Sequence, residues 1–84
     1  MGDYMKNIRE YIKDDSFKMK IFKNKIYIEN YINLGLISDS EITLYTSDKK
    51  ISIKGKKLRV NKLLNTEILI LGNYNNIIFK DKNE

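Results

Sequence analysis

The chain has 84 residues, with 16 Lys and Arg against 11 Asp and Glu, for a net charge of +5. That length holds one domain, because two halves would each fall below the size at which a core sustains a chain without disulfides or metals. With no Cys and no His there is no thiolate and no imidazole, so Ser–His–Asp and Cys–His nucleophiles and Cys- or His-based metal sites are excluded within one chain. No run approaches the ~20 apolar residues of a membrane span, and no apolar signal core follows the N-terminus, which points to a cytoplasmic protein. Ile, Lys and Asn supply 38 of the 84 residues and Ala none. An AT-rich genome encodes such a bias, so part of the basic charge reflects composition.

Residues 1–15 read as a short helix. Asp3 can accept hydrogen bonds from the free N–H groups of a helix start. Tyr4, Ile8, Tyr11 and Ile12 then follow at a spacing that draws one apolar stripe, and Asp14, Asp15 and Ser16 end the pattern. A helix of this length is marginal in isolation. Its stripe must dock on the rest of the domain, on a partner or on a membrane surface.

From Phe17 the period changes to two. Phe17, Met19 and Ile21 alternate with polar neighbours, and Lys23-Asn24 is expected as a tight turn because Asn tolerates positive φ. Ile26 and Ile28 follow, then a less regular stretch from Tyr31 to Ile37 that contains Gly35. Ile42 and Leu44, Ile51 and Ile53, Leu58 and Val60, and Ile68 and Ile70 repeat the alternation. Turns are expected at Ser47-Asp48-Lys49, Gly55-Lys56 and Asn65-Thr66, and at Gly72-Asn73 before a strand from Tyr74 to Phe79. The reading is an all-β single domain: about seven to eight short, mostly antiparallel strands over 16–79, arranged as a rolled sheet or sandwich, with the short N-terminal helix before them and a frayed tail over 80–84. A β-solenoid is the alternative for such a ladder of Ile-x-Ile segments. Leu58, Ile53 and Ile70 are expected to point inward and to be nearly fully buried.

Four segments occur in an unbroken order that is more specific than any one of them. They are Ile28-Glu29-Asn30-Tyr31; a strand from Ile42 that ends in Thr46-Ser47; Ile51-x-Ile53-x-Gly55-x-x-Leu58-x-Val60; and Glu67-Ile68-x-Ile70-x-Gly72 followed by Ile77-x-Phe79. In these segments the stretch from Ile28 to Phe79, about sixty percent of the chain, resembles the YabP/YqfC family of sporulation proteins. The chain departs from that pattern at turns. Asp48-Lys49 and Phe22-Lys23-Asn24 stand where members usually carry Gly, and no Pro precedes the first strand; Asn and Asp are the next-best turn residues. The resemblance implies a non-enzymatic sporulation factor with no cofactor, acting through protein–protein contacts in formation of the spore envelope (cortex or coat), with a membrane-embedded sporulation protein as partner. It further implies a cytoplasmic location at the periphery of the membrane around the developing spore. The alternative function is a small basic β-barrel that binds nucleic acid.

Lys49 to Lys62 contains seven basic residues and no acidic one. Alternation puts Lys50 and Lys54 on the outer face of one strand and Lys57 and Arg59 on the outer face of the next, so a hairpin between them merges the four into one patch. The functional reading is a surface for an anionic partner: acidic protein, anionic membrane surface or nucleic acid. The plainer reading is an edge hairpin kept from aggregating by lysines. No aromatic residue on which bases would stack lies within the segment, which speaks against nucleic acid. Strand 67–71 is apolar on both faces, Ile68 and Ile70 on one, Leu69 and Leu71 on the other; the second face is either covered from within the chain or meets a partner. Parity turns Asn30 inward and Glu29 outward, giving a capped bend and a lone surface carboxylate instead of an acid/base pair. Gly55 and Gly72 are turn or bulge glycines. No catalytic residue, metal or cofactor is expected.

Overall fold

The structure, a computed structural model, describes residues 17–82. Six antiparallel strands form one sheet: β1 (Lys18–Ile21), β2 (Lys25–Glu29), β3 (Asn33–Ile37), β4 (Glu41–Tyr45), β5 (Lys49–Leu64) and β6 (Glu67–Asp81), in the order β1-β2-β6-β5-β4-β3. The all-β reading holds. Antiparallel pairing throughout replaces the solenoid alternative, whose coils stack in parallel. The N-terminal helix expected over 1–15 lies outside the described residues.

Short polar connections make the hairpins. Lys23-Asn24 joins β1 to β2, closed by Phe22 N–H donating to the Lys25 carbonyl at 2.9 Å. Between β3 and β4, the Ser38 hydroxyl accepts from the Glu41 N–H at 3.0 Å. Between β4 and β5, the Thr46 hydroxyl accepts from the Lys49 N–H at 3.0 Å. Asn65-Thr66 joins β5 to β6. The left-handed Asn is not Asn24 but Asn30 (φ 65), which ends β2 and turns the chain toward β3.

Two expected turns do not reverse the chain. Gly55-Lys56 and Gly72-Asn73 lie inside β5 and β6, which run on for 16 and 15 residues, so the expected seven to eight short strands become six. Both positions are bulges: the β5–β6 register slips between Lys54 and Gly55 and again between Lys56 and Arg59, while Lys57 takes φ 55 and Gly72 φ 129. Glycine here permits close approach instead of reversal. A Cβ on Gly55 would stand 2.2 Å from the Asn73 carbonyl oxygen, and one on Gly72 would stand 2.5 Å from that of Lys57.

Bulges bend strands and raise their twist, and here they fold the long β5–β6 ribbon over. A straight strand of 16 residues holds its ends about 50 Å apart. Ser47 and Thr66, just outside the two ends of β5, nevertheless line one cleft. The result is one open six-stranded sheet, bent into two halves, where a rolled sheet or sandwich of about seven to eight strands was expected. The first half is β1, β2, residues 67–71 of β6 and residues 59–64 of β5; the second is β3, β4, residues 49–54 of β5 and residues 76–81 of β6.

The first half contributes Ile26, Ile28, Ile68 and Ile70 to the core and the second contributes Ile42, Leu44, Ile51 and Ile53, all at most 1% exposed; Leu58, in the bend, is 5% exposed and joins the same cluster. Each such side chain contributes about 1.5–3 kcal/mol of burial. Leu58, Ile53 and Ile70 are buried as the alternation requires. Hairpin tips satisfy the donors that the bulges free: the Ser40 carbonyl accepts from Gly55 N–H (3.0 Å), the Asp39 carbonyl from Leu58 N–H (2.9 Å), and the Asn24 carbonyl from Gly72 N–H (3.2 Å). The tail is not frayed at its start. β6 continues to Asp81, whose carboxylate pairs with the Lys49 ammonium at 2.6 Å, and Lys82 N–H donates to the Asp48 carbonyl at 3.0 Å.

Candidate functional site

Lys50, Lys54, Lys57 and Arg59 do not meet across a hairpin, because all four lie along the single strand β5. Lys50 and Lys54 lie on the outer face of the second half. Lys54 is opposite Glu41 on one side and Asn76 on the other; Lys50 is opposite Tyr45 and Lys80. Lys57 is exposed at the bend, and Arg59 is exposed on the outer face of the first half, directly across from Leu71. The expected patch is therefore a strip along one strand. Its charge is partly compensated at Lys54 by Glu41. At Lys50 the opposed Lys80 costs about 0.2–1 kcal/mol.

β6 runs between β2 and β5, so Leu69 and Leu71 each have two lateral neighbours on the outer face. Leu69 lies between Tyr27 and Asn61, and Leu71 between Lys25 and Arg59. Both leucines are half-buried. Register thus joins two features that the sequence kept apart: the basic run reaches the apolar second face where Arg59 pairs with Leu71. The Tyr27 hydroxyl donates to Glu67 Oε1 at 2.8 Å. That bond, then desolvation and the charge of nearby Glu29, push the phenol up to about 12. Glu29 points outward as expected, opposite Glu67. The Lys25 ammonium lies 5.1 Å from the centre of the Phe22 ring, a cation–π contact at an exposed site. This face therefore has an apolar centre, Leu69 and Leu71, with Tyr27, Lys25, Arg59 and Asn61 beside it; of these, Tyr and Arg are the types enriched at protein interfaces.

A second feature lies at the open end of the folded sheet. Phe17, Asn30, Tyr31, Ile32, Thr46, Ser47 and Thr66 line a cleft of about 380 Å³. Two of the sequence segments meet here, Asn30-Tyr31 from one and Thr46-Ser47 from the other. Their local bonding holds the two halves together. Asn30 N–H donates to the Thr66 carbonyl at 2.7 Å, and Ile32 N–H donates to the Tyr45 carbonyl at 2.8 Å. Tyr31 and Thr46 are buried, at 8% and 3% exposure. Asn30 is half-buried at the cleft, not turned into the core: a residue in the left-handed region leaves the strand alternation, so parity does not carry its side chain inward. Phe17 and Thr66 carry no signal in the local pattern that places them in this group, because only the bending of the sheet brings Phe17, before β1, and Thr66, after β5, to the same cleft as Thr46 and Ser47.

Gly55 and Gly72 serve the bend and open no phosphate loop. Among the described residues no group of three or more His, Cys, Asp or Glu is placed to hold a metal ion, and no helix is long and apolar enough to cross a membrane.

A folded antiparallel sheet with a buried aliphatic core and an amphipathic outer face defines a small all-β domain of six strands. The YabP family model matches residues 18–84, from the first residue of β1 through all six strands. The chain belongs to the YabP family and is a sporulation-related protein. Comparison with curated proteins and with solved structures gave no match.

Proposed function

We propose that the chain is a non-enzymatic sporulation factor that docks an acidic segment of a membrane-embedded sporulation protein during formation of the spore envelope, working on the cytoplasmic side of that membrane. The observation that carries this reading is the register that seats Leu69 and Leu71 between Lys25 and Tyr27 on β2 and Arg59 and Asn61 on β5. The leucines supply apolar area, worth about 25 cal/mol per Å² removed from water. Lys25 and Arg59 supply the charge that selects an acidic partner, and Lys50, Lys54 and Lys57 farther along β5 add steering. Membership of the YabP family supports the sporulation context.

Deletion in the parent organism, scored as heat-resistant spores, tests the role; an unchanged count contradicts it. Complementation with a Leu69→Ser, Leu71→Ser double variant tests the face. A folded variant is expected to leave the count near that of the deletion, and full rescue contradicts the docking surface. Binding of the purified chain to acidic peptide is expected to weaken with salt, because exposed charges are screened over ~8–10 Å at physiological ionic strength. Stronger binding to anionic vesicles or to single-stranded oligonucleotides than to peptide would overturn the choice of partner.

A further inference from the structure

We propose that the outer edge of residues 76–81 of β6 is a self-recognition edge on which a second copy of this chain pairs, strand to strand. Among the described residues the sheet leaves four edges open. They are β1, β3, residues 60–64 of β5 beyond the reach of β4, and residues 76–81 of β6 beyond the reach of β2, whose pairing ends at Leu71. Open edges expose unpaired N–H and C=O groups, which proteins blunt with charge, bulges or irregularity. β1 carries Lys18 and Lys20. β3 breaks register between Leu34 and Ile37. The end of β5 carries Lys62 and breaks register between Lys62 and Leu64. The end of β6 is the least blunted: Asn76-Ile77-Ile78-Phe79 has no charge and no Pro, its two charges, Lys80 and Asp81, stand at the very end and are of opposite sign, and its ladder to β5 is regular from Asn76 to Asp81.

The core face is also unfinished there. Phe79 pairs with Ile51, which is fully buried, yet Phe79 itself is 53% exposed. A further strand beside it continues the apolar face. The edge is complementary to itself. A two-fold axis normal to the sheet at Ile78 gives an antiparallel ladder in which Ile78 meets its own copy, Ile77 meets Phe79, Asn76 meets Lys80 and Asn75 meets Asp81, with no like charges opposed. The same operation on β1 about Met19 sets Lys18 against Lys20. The contact is short and below the area of an obligate dimer, so association depends on concentration.

The chain has no Cys, so Ile78→Cys in the full chain places a single thiol on the proposed axis. Directly opposed residues of an antiparallel ladder have Cα atoms about 4.5–5.5 Å apart, within disulfide reach. Mild oxidation is expected to convert Ile78→Cys to a covalent dimer faster than a Lys20→Cys control on β1. Sedimentation of the wild type is expected to show mass rising with concentration from 10.0 kDa toward twice that. Ile78→Lys, whose side chain points to the outer face, is expected to remain monomeric; should it fail to fold, Phe79→Lys serves, because that side chain is already exposed. A wild type that stays monomeric throughout, Ile78→Cys that crosslinks no faster than Lys20→Cys, or lysine variants that dimerise like wild type would each overturn the proposal.

Discussion

In the first half of the sheet Ile26 and Ile28 of β2 sit opposite Ile70 and Ile68 of β6; in the second, Ile42 and Leu44 of β4 sit opposite Ile53 and Ile51 of β5. The inner faces are near-copies, two aliphatic pairs each, and they close one core. The outer faces are not. The first half presents Leu69 and Leu71 between basic and aromatic neighbours, whereas the second presents Ser52 with Lys50 and Lys54 beside it, and its Thr43 is buried. The inner match reflects a requirement that both halves share, to bury one face against the other. The outer mismatch has no such cause, and it is where a contact function is sought.

The largest effect is expected where the halves are joined. Gly55→Val drives a side chain into the Asn73 carbonyl, 2.2 Å from where its Cβ would stand. It should cost more than about 3 kcal/mol, a fall in melting temperature of more than about 12 °C. A Gly55→Val protein that melts like wild type would show that the bend is not built on close backbone approach.

Next come the paired cores. Ile28→Ala and Leu44→Ala should each cost about 2–4 kcal/mol in denaturant unfolding, within about 1 kcal/mol of each other, in a single transition. Two separated transitions would break the comparison, because they would mean that each half folds alone. Leu58→Ala, at the bend between them, belongs to the same range.

A smaller effect, of opposite sign, is expected at Lys57. Its φ of 55 is unfavourable for a residue with a Cβ by about 1–2 kcal/mol, so Lys57→Gly should raise stability by roughly 0.5–1 kcal/mol after the entropy lost by Gly on folding.

The smallest concerns Tyr27, on the outer face of the first half. Its phenol is raised from 10.0 to about 12, first by the bond to Glu67. A raised folded value means that the interaction supports the fold fully below pH 10 and is lost as pH rises from about 10 to about 12. Phenolate absorbance of the folded protein should show one tyrosine titrating near 12, and Glu67→Gln should bring it down toward 10.0; an unmoved midpoint would show that the bond does not hold the proton.

Alternation alone made the core legible. Ile53, Leu58 and Ile70 were readable because a strand with one buried face repeats every two residues, and burial enforces that period. The bend was not legible. Glycine beside a polar residue signals reversal and bulge equally, and only the partner backbone distinguishes them: Gly55 faces Tyr74 and Lys56 faces Asn73 within one continuous ladder. That ambiguity split β5 and β6, put Lys57 and Arg59 on an imagined second strand and made a patch of a strip. The candidate site was half legible. The apolar second face of residues 67–71 was visible in sequence, but its lateral neighbours Lys25, Tyr27, Arg59 and Asn61 depend on strand order, which short-range pattern does not encode.

Spore rescue by charge reversal on one half at a time measures the central claim, that the outer face of the first half is the working surface. In a deletion strain, Lys25→Glu with Arg59→Glu reverses the rim of Leu71, while Lys50→Glu with Lys80→Glu reverses the opposed pair on the second half. All four side chains lie on outer faces, so both variants should melt near wild type. The account predicts that the first variant leaves heat-resistant spores near the level of the deletion and the second restores most of them. Full rescue by the first variant, or loss confined to the second, would contradict it.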